Sequence, residues 1–125
     1  MSARRCPCDT GLAFEVCCGA IHAGTGQALT AEQLMRSRYS AFAVGDGPYL
    51  ERSWHSSTRP RRVRVDAADE WVLLEIVDTQ AGGPLDNVGM VEFRAHHRRG
   101  GQPGVVHERS SFAREDGRWV YVGAM

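Results

Sequence analysis

Residues 6–19 read CPCDTGLAFEVCCG and hold every cysteine of the chain, as Cys6, Cys8, Cys17 and Cys18. No other stretch limits the fold as much, because thiols this close in sequence must also end up close in space. Three chemistries compete for them. A disulfide framework needs an oxidising compartment, and neighbours such as Cys17 and Cys18 bridge each other only with strain. A redox pair usually reads Cys-x-x-Cys at the start of a helix beside a βαβ unit, and that pattern is missing. Zinc takes four thiolates in a tetrahedron at about 2.3 Å, and a structural site gives all four positions to protein ligands. The eight residues between the two pairs suffice for a turn and a short helix that bring the second pair back to the first. Asp9-Thr10-Gly11 has turn chemistry, and Pro7 stiffens the first pair. Residues 1–24 carry too few apolar groups to build a core, so ordering them needs another source of free energy. Zinc binding supplies on the order of 10 kcal/mol in small peptides. The reading is a structural Zn²⁺ site formed by Cys6, Cys8, Cys17 and Cys18.

The rest of the chain is ordinary for a globular domain. At 125 residues, with 42% apolar and 24% charged, it has room for one core and little more. It has no apolar run of about 18 residues, so no membrane span is expected. Cysteines rather than an apolar h-region follow the first residues, so no secretory leader is expected, and the location expected is cytoplasmic, where thiols stay reduced. Fifteen basic residues balance fifteen acidic ones. Zero net charge argues against a nucleic-acid partner, although RPRRVR (59–64) and HHRRGG (96–101) are local arginine clusters able to grip phosphate.

After the cysteine segment the pattern turns helical. TAEQLMRSRYSAFAVGDG predicts a helix with Thr30 as N-cap, Gln33 completing a capping box and Gly45 or Gly47 as the stop. A shorter helix over about Pro48 to Trp54 is expected next, capped by Asp46. The second half reads as strands over 70–79, 87–97, 104–115 and 118–124, separated by glycine turns. Of these turns Asp116-Gly117 is the strongest hairpin signal, because both positions tolerate positive φ. Connections this short force antiparallel neighbours, so the expectation is an α+β fold with helices on one face of a four-stranded meander.

The stretch CPCDTGLAFEVCCG also resembles the SEC-C motif, a zinc-binding knuckle whose usual form reads CPCGSG followed by CC or CH and a glycine. Asp9 and Thr10 replace the Gly-Ser of that form, and all four ligand positions match. LMRSRYSAF (34–42), WHSSTRP (54–60), VEFRA (91–95), HERSSF (107–112) and GRWVYVGA (117–124) together are similar to the YchJ family of small bacterial proteins. The resemblance implies a SEC-C knuckle over 1–24 on a cone-shaped domain over 25–125, like nuclear transport factor two (a cystatin-like fold), with a curved sheet wrapped on helices. It implies no established activity. A related knuckle in the preprotein translocase motor contacts a chaperone and ribosomes, which makes a protein partner the natural analogy. Folds of this shape often pair as homodimers through the open sheet face.

A sheet curled around helices leaves a mouth in which a small molecule could sit. The residues expected to line it are Arg36, Arg38 and Tyr39 from the long helix, Trp54, His55, Thr58 and Arg59 from the loop after the helices, and Glu92, His107, Glu108 and Arg109 from the second and third strands. Alternation along that strand puts Glu108 and Ser110 on the side of Phe112, with His107 and Arg109 opposite. A carboxylate inside a cone needs a partner, for which Arg36 or Arg38 is the expectation. No nucleophile stands beside a base at a recognised spacing, so no residue is assigned as catalytic. The expectation is a non-enzymatic interaction module. The alternative is a small-molecule enzyme using Glu108, His107 and His55 as acid and base.

Overall fold

The computed structural model describes residues 4–125, so the first three residues of the expected knuckle lie outside it. A turn of 3₁₀ helix, Phe14–Val16, leads into helix α1, Cys18–Ala23. Helices α2, Ala31–Val44, and α3, Gly47–Arg52, follow. Strands β1, Asp69–Ala81, β2, Val88–Arg99, β3, Gln102–Glu115, and β4, Arg118–Ala124, complete the chain. The strands form one antiparallel sheet in the order β1-β2-β3-β4. Among the described residues no helix is long and apolar enough to cross a membrane.

Local chemistry explains the helix ends. The Thr30 side chain accepts from the Gln33 amide at 3.1 Å, and Gly45 closes α2 at φ 80°. The capping box differs in one bond: the Gln33 carboxamide takes the amide of Leu29, one residue before the cap, at 2.7 Å. Asp46 caps α3 through the Tyr49 amide. That helix stops at Arg52 rather than near Trp54, because the next residues pair with the sheet. Tyr121 donates its amide to Ser53 O at 2.9 Å, and His55 donates to Tyr121 O at 2.7 Å. The segment 53–55 therefore lies along β4 and carries Trp54 against Tyr121, the two rings nearly perpendicular at 4.9 Å.

Strand length and curvature come from turns and bulges. Gly100-Gly101 and Asp116-Gly117 all have positive φ, the requirement of a two-residue hairpin turn whose twist matches that of the strands. Register shifts at Trp71/Leu73 and Ile76/Asp78 bulge β1 and bend it over the helices. The core fills the concave side with Leu34, Met35 and Tyr39 of α2 against Leu74, Val91, Phe93, Phe112 and Trp119 of the sheet. At the far end of the β1–β2 hairpin the Gly82 carbonyl accepts the Ala31 amide. A Cβ at Gly89 would come within 2.5 Å of the Gly82 Cα, so the hairpin ends can meet there only without side chains.

Candidate functional sites: a cysteine cluster and a cavity

The cysteine segment folds as a miniature hairpin. Arg5 and Ala13 form an antiparallel bridge, and the Cys6 amide donates to Leu12 O at 2.8 Å. The turn between them needs two left-handed residues, Asp9 at φ 67° and Gly11 at φ 83°. Aspartate tolerates that conformation less well than glycine, and here its carboxylate makes a contact glycine could not, accepting the Leu74 amide of β1 at 3.2 Å. Thr10 is also placed for a purpose: its hydroxyl lies 3.5 Å from the Cys8 sulfur and 3.3 Å from that of Cys17. The Phe14–Val16 turn then delivers Cys17, and Cys18 opens α1.

All four sulfurs lie within 4.8 Å of one another. Cys6, Cys8 and Cys18 are buried and Cys17 is half-buried. The Cys8 and Cys17 sulfurs are 3.6 Å apart, so all four cysteines are free thiols rather than disulfides. In a tetrahedron with ligands at 2.3 Å the sulfurs stand about 3.8 Å apart, so the cluster has the size of a four-coordinate metal site. The thiols also divide their charge unevenly. Hydrogen bonding from Cys18 holds Cys8 well below the usual thiol range, and the same contact, with burial, pushes Cys18 up. These four cysteines could hold a metal ion. His22 stands apart from them: it is buried, donates through Nε2 to Ser37 O at 2.7 Å and stacks on Tyr49.

The cluster is fastened to the helices. Arg36 donates through Nη1 to Cys8 O at 2.6 Å and pairs through Nε with Glu32 one turn back. The Cys6 sulfur lies 3.4 Å from the Ser40 hydroxyl. Beside the cluster runs a groove of about 280 Å³ whose walls include Leu12, Val16 and Leu29. These side chains are 52%, 71% and 59% exposed.

A second site lies under the concave sheet, a cavity of about 300 Å³ walled by Tyr39, Phe42, Trp54, Trp71, Phe93 and Tyr121. Of the residues expected to line it, Arg38, Tyr39, Trp54 and Glu108 do so. Arg36 does not, because two helical steps turn it roughly 200° from Arg38, onto the cysteine cluster. His107 points to the outer face and meets Glu92 at 2.6 Å, with Arg109 3.8 Å from the same carboxylate. His55 accepts from the Ser57 amide through Nδ1 and faces Glu115, and Arg59 folds back to donate to Trp54 O. Glu108, His107 and His55 are thus in three different places.

Glu108 is not paired as expected either. Its Oε2 accepts from the Tyr121 hydroxyl at 2.9 Å and from Ser110. Arg38 instead donates through Nη1 to Leu50 O at 2.9 Å and to Ser53 Oγ at 2.7 Å. Its guanidinium lies over the rings of Tyr121 and Trp54, at 4.6 and 5.0 Å. Burial brings Arg38 down to about 10, which leaves it charged at neutral pH. Burial, with Glu108 beside it, pushes Tyr121 up to about 12. Sequence reasoning missed Phe42, Trp71, Phe93, Val106 and Tyr121 as cavity residues. The signal existed: strand alternation puts Val106 on the face of Glu108, and Tyr121 on that of Trp119.

A four-stranded meander curled over helices, with a four-cysteine knuckle at its N-terminus, defines an α+β protein like nuclear transport factor two that bears a SEC-C motif. The chain belongs to the YchJ family: residues 30–124 match the family described as YchJ, middle NTF2-like domain. It is 51% identical to a UPF0225 protein of Streptomyces coelicolor over 93% of this chain and 90% of that one. It is 50% identical to a UPF0225 protein of Corynebacterium efficiens over 94% and 89%. The solution structure of a SEC-C motif containing protein from Rhodopseudomonas palustris superposes with a TM-score of 0.83, at 32% identity over 97% of each chain. A crystal structure of a SEC-C motif containing protein from Psychrobacter arcticus gives 0.78, at 25% identity over 98% of this chain and 84% of that one.

Proposed function

We propose that this protein is a non-enzymatic interaction module of the cytoplasm in which Zn²⁺, bound by Cys6, Cys8, Cys17 and Cys18, holds residues 1–24 as a rigid knuckle on the scaffold of 25–125. Four thiolates match the preference of zinc and leave no position open for a water, so the ion serves as architecture. The knuckle, with the first turn of α2, then presents its groove to an apolar segment of a protein partner. The observation that carries this reading is the set Leu12, Val16 and Leu29, three large aliphatic side chains each more than half exposed around one groove. Surface aliphatics are common singly; grouped around a concavity they mark contact sites.

The test is affinity capture with the full chain and with a Leu12→Ser, Val16→Ser, Leu29→Ser variant, both loaded with zinc. None of the three is part of a buried core cluster or a metal ligand, so the fold and the metal should survive. Partners captured by the native chain and lost with the variant are the expected outcome. Identical partner sets would contradict the reading.

A further inference from the structure

The cavity beneath the sheet is built to hold something the knuckle does not explain. Arg38 is 4% exposed, yet no carboxylate among the described residues comes within ion-pairing distance of it. Its protein hydrogen bonds all leave from Nη1, toward Leu50 and Ser53, so the rest of the guanidinium fork is available inside the cavity. A buried arginine with unused donors normally faces a carboxylate, phosphate or carbonyl oxygen. The Trp54 indole N–H is likewise buried without a partner.

Tyr121 links this cation to the one anion of the wall. Arg38 covers its ring face, and Glu108 takes its hydroxyl, so the two charges stand at different parts of the same side chain. Both known bonds to Glu108 end on Oε2, which leaves Oε1 as an acceptor. Apart from Ser110, whose hydroxyl is spent on Glu108, the rest of the wall is ring or apolar, including Tyr39, Phe42, Trp71, Phe93 and Val106. At about 300 Å³ the volume is at the small end for ligand sites.

We infer that the cavity binds a flat, ring-bearing small molecule of zero net charge, offering an acceptor to Arg38 and an N–H or O–H donor to Glu108. Opposite charges on the wall make a net-charged guest unfavourable, because one of the two wall charges would always oppose it. The aromatic walls take the ring faces, and the polar edge fixes the orientation. This site is independent of the groove beside the cysteines.

The test uses the full-length, reduced protein and three soluble probes: quinolin-2-one, with adjacent acceptor and donor; quinoline, with an acceptor alone; and 2-naphthoate, a net anion. Binding is followed through the indole N–H resonances of Trp54 and Trp71. Quinolin-2-one should shift both and bind about 10- to 100-fold more tightly than quinoline, the worth of one hydrogen bond to a charged group. Glu108→Leu should remove that advantage while leaving quinoline affinity unchanged. Val106→Phe, which adds a ring to the wall from a half-exposed position, should abolish binding of both. Unmoved indole resonances at the solubility limit of quinolin-2-one would overturn the site. Equal loss of both probes in Glu108→Leu would overturn the role of Glu108, and tighter binding of 2-naphthoate would overturn the assignment of zero charge.

Discussion

Cys8→Ser is expected to release the metal and melt residues 4–17 while leaving the four-stranded sheet folded. Cys8 is 0% exposed, and its sulfur lies 3.6 Å from that of Cys17 and 3.5 Å from the Thr10 hydroxyl. A serine hydroxyl stays protonated at neutral pH and is a poor zinc ligand, so three thiolates would remain around an open position. The segment has little else to hold it. Its own core is Cys6, Cys8 and Cys18 with half-buried Phe14 and Cys17. Up to Cys17 its ties to the body are a few polar contacts, chiefly Arg36 to Cys8 O and Leu74 N–H to Asp9, whereas α1 is also anchored by Ile21 in the core and by His22 against Ser37 and Tyr49. Losing about 10 kcal/mol of metal binding exceeds what these can supply, at roughly 1 kcal/mol each. Amide exchange read residue by residue checks this: protection should vanish over 4–17 and persist in β2 and β3. Retained protection in both regions would mean the segment folds without its metal.

The second large effect is expected at Phe112→Ala. Phe112 is 1% exposed at the centre of the main core and meets the Tyr121 ring edge-on at 5.7 Å. Neighbouring Ser110 and Val91 are buried in backbone-bonded strands, so the site can collapse only a little. Truncating a buried phenylalanine then costs about 3–5 kcal/mol, through lost transfer energy and the void left behind. For a domain of this size that corresponds to a fall in Tm of roughly 10–20 °C. Val105→Ala, on the exposed face of the same strand, should change stability by no more than about 0.5 kcal/mol. The two variants compared by thermal denaturation test whether the concave side is the core. Metal content should stay unchanged in both, because neither residue touches the cysteine cluster.

Much of this arrangement was legible in the chain. The thiol spacing pointed to one cluster, and Thr30, Asp46 and Gly45 marked helix ends because caps act through atoms one turn away. The phase of β3 followed from alternation, with Glu108, Ser110 and Phe112 inside and His107 and Arg109 outside. What stayed hidden depends on the third dimension. The bulge at Val72 changes the phase of β1, so that Trp71 and Leu74, three apart, both contribute to the core. The pairing of 53–55 with β4 joins segments far apart in sequence, and it sets both the end of α3 and the place of Trp54. The partners of Arg36 and Arg38 were likewise a matter of which helix face meets which neighbour. Asp9 shows the same limit: the sequence displays a turn residue, and only the fold reveals the Leu74 amide 65 positions away that it accepts.

The most direct test is metal analysis of freshly purified, reduced protein, combined with X-ray absorption at the zinc edge. The account predicts about one zinc per chain with four sulfur neighbours near 2.3 Å and no light-atom ligand. A chain that folds with no bound metal, or a zinc carrying an oxygen ligand in its inner sphere, would contradict it.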